Sequence, residues 1–196
     1  MVRFQRLTGC RPGEVCSLRP CDLDRSADVW AYRPAGHKTE HLGRERIVWI
    51  GPQAQEVLLP YLLRAPDAYC FSPAESDEKR KAEMRAARKT KVQPSQVCRR
   101  KPRPKRKPRD RYVKDSYGRA VRRAVQKANK TRVQSAQEPL PLWHPNQLRH
   151  SVATRVRREF GLEGSQVVLG HARADVTQIY AERDGKLAAE IMRRMG

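Results

Sequence analysis

Several side chains in this 196-residue chain have the types and settings that suit phosphate chemistry. Arg11 lies in TGCRPGEVCSL (8–18) and Lys38 in HKT (37–39). Arg149 lies in HPNQLRHSVATRVRREFGL (144–162), and His171 and Tyr180 in VVLGHARADVTQIYAERD (167–184). Cutting a phosphodiester without a metal requires a nucleophile, cations on the non-bridging oxygens and an acid for the leaving oxygen. Arginine suits the oxygens, because its planar fork donates twice and stays charged. A mobile lysine or a histidine suits the leaving group. A tyrosine nucleophile gives a covalent phosphotyrosine, which keeps the bond energy for rejoining.

The surrounding patterns predict the elements that must position these residues. RPGEVCSLRPCDLD reads as a short helix with Pro12 in its first turn and Val15 and Leu18 spaced i,i+3. DVWAYRP (28–34) and RERIVWIG (44–51) read as strands of one hairpin, with GHKTEHLG as the turn that holds Lys38. PQAQEVLLPYLLR predicts a helix with Val57, Leu58, Tyr61 and Leu62 on one face, YCFSP a short strand or turn, and 115–129 a helix through Val121 and Val125. From Asn146, apolar residues recur at Leu148, Val152, Val156 and Phe160, with Gly161 as a stop. EGSQVVLGH then gives a short helix broken at Gly170, ADVTQIYAER one capped by Asp175, and residues 185–195 a last helix through Leu187, Ile191 and Met195. The sum is a mainly α fold with a small antiparallel β-hairpin (α+β), in one domain without internal repeats.

Composition narrows the partner. Lys and Arg number 42 against 21 acids, a formal charge of +21. A chain this basic meets a polyanion, and nucleic acid is the commonest. No apolar run approaches the roughly 20 residues that span a bilayer, and no signal pattern precedes the first charges, so a cytoplasmic chain is expected. Residues 79–109 alone hold 15 Lys/Arg and one acid, a net +14, with Pro94, Pro102, Pro104 and Pro108. This stretch cannot bury enough apolar surface to order itself. Residues 74–110 are therefore expected to be an inserted loop or partly helical arm, with Lys101, Arg103, Lys105, Arg106 and Lys107 contacting a nucleic-acid phosphate backbone. KRKAEMRAARK suits a charged helix, whereas the prolines of RRKPRPKRKPR forbid one. Five cysteines without a CxxC suggest reduced thiols and neither a disulfide frame nor a zinc site.

TGxRxxE, LRH, and LGH with a tyrosine nine residues after its histidine, taken in order, resemble the catalytic domain of the tyrosine recombinases, the phage-integrase family. The resemblance runs from about residue 3 to 184, apart from the basic insertion. It implies roles position by position. Arg11 and Arg149 would clamp the scissile phosphate, and Lys38 would protonate the leaving 5′ oxygen. His171 would bind a phosphate oxygen, Tyr180 would become linked to the 3′ phosphate, and Glu14 would orient site side chains. The family usually has histidine three residues before the second arginine, where this chain has Asn146. Asparagine donates and accepts hydrogen bonds but cannot act as a base near neutral pH. A helix N-cap and a phosphate contact both remain open for it. His144 stands at the helix start, and His150, about 100° round the helix from Arg149, is expected to pack inside. Tyr112 and Tyr117 are competing tyrosines beside the arm.

The resemblance also implies double-stranded DNA as partner, a homo-tetramer on DNA linked through the C-terminal helix (about 185–195), and neither metal nor cofactor. Only ten residues precede Arg11, so residues 1–196 would be a catalytic domain truncated at its N-terminus, without the core-binding domain. Two rivals stand beside this reading. One is a DNA-binding remnant without recombinase activity; the other is a basic RNA-binding structural protein.

Overall fold

The computed structural model describes residues 1–36, 45–94, 97, 109–170 and 185–195. Helix α1 (Val2–Thr8) ends at Gly9, whose φ of 64° places it in the left-handed region that favours glycine. Helix α2 (Pro12–Ser17) follows, started by Pro12 at its first position. Strands β1 (Leu23–Asp24), β2 (Trp30–Tyr32) and β3 (Val48–Ile50) form an antiparallel sheet in the order β1-β2-β3, with Ala31 opposite Trp49. The predicted hairpin is therefore present, and β1 adds an edge strand too short to show a periodicity. Helices α3 (Pro52–Leu58), α4 (Pro73–Ala86), α5 (Lys114–Gln134), α6 (Pro145–Leu169) and α7 (Gly185–Met195) complete the described elements.

The core has two parts. Phe4 of α1 lies with Val15, Leu18, Tyr32, Val48, Ile50 and Leu58, closed on one side by Tyr117, Val121 and Val125 of α5. A second cluster joins Val29, Val152, Val156, Val168, Leu169, Ile191 and Met192. Helix α1 packs against α3, β3 and α6 and so stands between the two. Gly9 permits that approach: a Cβ there would lie 2.8 Å from Leu169 Cδ2 and 2.9 Å from Val152 Cγ1.

Several expected details are corrected. The helix expected across residues 52–64 stops at Leu58 and continues as a 3₁₀ turn (Leu59–Tyr61) around Pro60, which has no N–H to carry an α-helix onward. Tyr61 is 38% exposed, so the expected four-residue face is not one buried stripe. YCFSP forms no strand; Cys70 N–H instead donates to Leu18 O at 2.9 Å. The expected insertion opens as α4, which begins at Pro73 because the Ser72 hydroxyl accepts the Glu75 N–H, and no residue of α4 is buried. Lys101, Arg103, Lys105, Arg106 and Lys107 lie outside the described residues. Helix α5 runs five residues past its expected end. Gly161 (φ 77°, ψ −177°) acts as a kink between two legs of α6, and Gly170 (φ 61°) ends the second leg.

The apolar side of helix α7 packs in cis against α6 and β3, with Ala188, Ile191 and Met192 buried. Arg193 holds Asp28 Oδ2 through Nε at 2.7 Å and Nη2 at 2.6 Å. Among the described residues no helix is long and apolar enough to cross a membrane. The cis packing of α7 predicts that Ile191→Ala destabilises the fold by about 2–5 kcal/mol, the usual range for such a truncation. The check is a fall in the urea midpoint at an unchanged slope.

Candidate active site

Between α2, the start of α5 and the start of α6 lies an open cleft of about 1240 Å³. Arg11, Arg111, Lys114, Arg119, Arg122 and Arg149 line it against only two carboxylates, Glu14 and Asp115. The formal charge of this wall is therefore 6 − 2 = +4, which suits a polyanion.

Arg11 and Arg149, 138 residues apart in sequence, both line the cleft, and the Arg11 charge reaches Arg149. Arg11 is the N-cap of α2 and keeps about a quarter of its side chain exposed. Its N–H donates to Glu14 Oε2 at 2.7 Å and its Nη1 to Glu14 Oε1 at 2.9 Å. Glu14 thus closes the first turn of its own helix while it aims the guanidinium. Arg149 is 5% exposed. Its Nη1 donates to Gly9 O at 2.8 Å and its Nη2 to Leu169 O at 2.6 Å. These bonds spend two of its five N–H donors and tie α6 to the loop that carries Arg11.

Buried hydrogen bonds hold that loop and the helix before it. Gln5, fully buried, donates from Nε2 to Cys10 O at 3.0 Å and accepts the Tyr117 hydroxyl on Oε1 at 2.9 Å. The Thr8 hydroxyl donates to Phe4 O at 3.0 Å. Tyr117 is thereby removed as a competing nucleophile: it is buried, committed to Gln5, and burial raises its hydroxyl pKa. Cys10, Cys16 and Cys70 are buried free thiols, and burial pushes the Cys10 thiol up to about 12.

Arg46 is the member that sequence reasoning missed. It is 5% exposed, and its Nε and Nη2 donate to Glu14 Oε1 at 3.2 Å and Oε2 at 3.5 Å. A signal for it existed: Arg46 shares the alternating parity of Val48 and Ile50, both fully buried, so a charge on that face needed a buried partner.

Burial pushes the Glu14 carboxyl up, but the Arg46 and Arg11 guanidiniums and the Arg11 N–H outweigh it and hold the group below its ordinary range. Arg149 is brought down to about 10, first by loss of solvent and then by the charges of Arg46 and Arg11. Three guanidiniums around one carboxylate leave 3 − 1 = +2. An anion bound beside Arg149 would favour its charged form.

Asn146 is exposed at the rim and is not the N-cap. His144 holds that position, its N–H donating to Gln147 Oε1 at 2.8 Å, with Pro145 first in the helix. The Asn146 amide Nδ2 lies 3.0 Å from His150 Nε2. His150, expected inside, is exposed one turn along, because the buried face of α6 runs through Arg149, Val152 and Val156. Lys38, His171 and Tyr180 lie outside the described residues, so the structure brings together Arg11, Glu14 and Arg149 of the expected set, with Asn146 at the cleft edge. Among the described residues no group of three or more His, Cys, Asp or Glu could hold a metal ion.

The model of the phage integrase family matches residues 1–186. Comparison with curated proteins found no match. Among solved structures, the chain is similar to a Tn1549 transposon integrase in complex with circular intermediate DNA (19% identity, TM-score 0.51, covering 100% of this chain and 58% of that one). It is also similar to XerA recombinase (23%, TM-score 0.48, 95% and 53%). A third is XerH site-specific recombinase bound to difH substrate in a pre-cleavage complex (18%, TM-score 0.46, 88% and 38%). The chain spans well under two thirds of each of these proteins. The integrase similarity shows a shared fold, that of a mainly helical domain with a small antiparallel sheet.

The +2 excess predicts that phosphate or sulfate raises the melting temperature above that in chloride at equal ionic strength. At ten times its Kd, an anion adds about 1.4 kcal/mol, or about 3–6 °C for a chain of this size. Arg11→Ala should abolish the difference; equal melting curves in the two salts would count against an anion site.

Proposed function

We propose, from the premise that this chain belongs to the phage integrase family, that it carries out site-specific DNA recombination by cleaving and rejoining strands. The observation that carries this reading is the convergence of Arg11 and Arg149 on one cleft around a single buried carboxylate. A phosphodiester carries one negative charge and its pentacoordinate transition state gathers a second. A fixed +2 site therefore matches the transition state better than the ground state.

In the proposed reaction the Tyr180 oxygen attacks phosphorus as its hydroxyl proton passes to water in the open cleft, the bond to the 5′ oxygen breaks, and Lys38 supplies the proton to that oxygen. The product is a 3′-phosphotyrosine, and rejoining runs the steps backwards. Arg11 and Arg149 hold the non-bridging oxygens, with His171 contributing a further donor. Glu14 orients Arg11, and Asn146 offers an amide donor where the family usually has histidine. Lys101, Arg103, Lys105, Arg106 and Lys107 would neutralise backbone phosphates beyond the cleft, so affinity should depend steeply on salt. Duplex DNA in the nucleoid is the proposed partner, without a cofactor. Four protomers would assemble on paired sites, with α7 as the link once Ile191 and Met192 leave their cis seat.

Cognate DNA with a suicide nick tests the reaction. Wild-type protein should become covalently attached, and Tyr180→Phe should not. Arg149→Ala should lose about 10²–10³ in rate, as for one removed oxyanion partner. Normal duplex binding with no adduct on any nicked site would favour the DNA-binding remnant instead, and preference for structured RNA the RNA-binding rival. Asn146→His should raise the cleavage rate and introduce a pH dependence near 6–7, where imidazole titrates. An unchanged rate and profile would remove position 146 from the phosphate contact.

A further inference from the structure

The Arg46 guanidinium joins two regions that are remote from it and from each other in sequence. Nε and Nη2 meet the two oxygens of Glu14, and Nη1 donates to Val168 O at 3.5 Å, within the last turn of α6. Gly170 lies against the same group: a Cβ there would stand 2.5 Å from Arg46 Nη1, and φ at Gly170 is +61°. The chain continues from Gly170 directly to His171, and from Arg46 back through the hairpin turn to Lys38.

A buried ion pair is a weak device for stability, because its loss of hydration offsets most of its attraction; apolar replacements of the whole pair often stabilise. What such a pair supplies is geometry. Glu14 is 3% exposed and has two oxygens to align. Arg11 meets them with its backbone N–H and Nη1. Arg46 meets the same two oxygens with Nε and Nη2, a second grip that would hold the carboxylate against rotation with Arg11.

We propose that Arg46 is a positioning residue, which locks Glu14, and through it Arg11, to the end of α6 at Val168 and Gly170. It does not touch the phosphate. One fork registers the first arginine, the departure point of the hairpin turn and the start of the segment bearing His171 and Tyr180. A lysine at 46 keeps the charge but offers one ammonium, which cannot meet both Glu14 oxygens and a carbonyl together. The proposal rests on the strand-cleavage reading for its consequence in rate, and on the described contacts for its geometry.

Arg46→Lys separates the two. By ¹⁵N relaxation, the Arg11 guanidinium should be ordered in the wild type and mobile in the variant. Adduct formation on nicked DNA should fall about 10–100-fold, the scale on which orienting partners act, while duplex Kd stays within about threefold. Unchanged Arg11 order overturns the proposal, and so does adduct formation within about twofold of wild type. If wild type forms no adduct, the strand-cleavage reading falls and the Arg11 relaxation alone decides for Arg46. If Arg46→Lys melts below the assay temperature, Gly170→Ala takes its place, since the added methyl group displaces Nη1 without removing the charge. Mobile Arg11 in that variant supports the lock, and wild-type order overturns it.

Discussion

Glu14 is a carboxylate sealed from water between Arg11 and Arg46, with Arg149 close enough to feel all three charges. Desolvated charges persist only when their remaining donors and acceptors are satisfied, and that requirement explains much of the surrounding structure. Arg149 finds two backbone carbonyls, Gly9 O and Leu169 O. Arg46 finds a third, Val168 O. Each carbonyl lies at the end of a helix, where backbone oxygens lack intrahelical partners. The arginines thus satisfy orphaned helix ends and gain fixed positions in return.

The first core cluster stabilises the same corner from below. Gln5 and Tyr117 form a buried pair in which each polar atom named has a partner, and the pair connects α5 to the loop before α2. A polar network that is fully satisfied rigidifies, whereas a half-satisfied one costs stability. The outer wall of the cleft, from Arg111 to Arg122, is built of cations on and beside α5 facing open solvent.

Much of this was legible in the amino-acid order, for identifiable reasons. Pro12, Gly161 and Gly170 punctuate the helices because their backbones permit little else or uniquely much, and the Val152–Val156 stripe is strong enough to read. Arg11, Glu14 and Arg149 were found through motif spacing. Their convergence was not, since nothing local in sequence announces that Gly9 O and Leu169 O share one guanidinium. Arg46 escaped because a charge among strand residues reads as solvent-facing unless its parity is followed. His150 was misplaced by reasoning from Arg149 alone; Val152 and Val156 fix the buried face of α6 and leave position 150 outside it. The true cap at His144 hid behind the better capping chemistry of asparagine. Pro60 was legible as a helix breaker but was outweighed by the leucines around it.

The bond from Arg149 Nη2 to Leu169 O closes α6 upon itself across its kink, joining residues 20 positions apart within one helical run. A ring of this kind has a fixed circumference. One residue added or removed between positions 149 and 169 would rotate everything beyond it by about 100° and shift it by about 1.5 Å, leaving the guanidinium without its acceptor. Descendants of this sequence can therefore exchange residue types along α6 but not change their number. The solvent-facing helix α4, which buries no residue, carries no such constraint. Variation in chain length among related proteins should accumulate around α4 and be absent from α6.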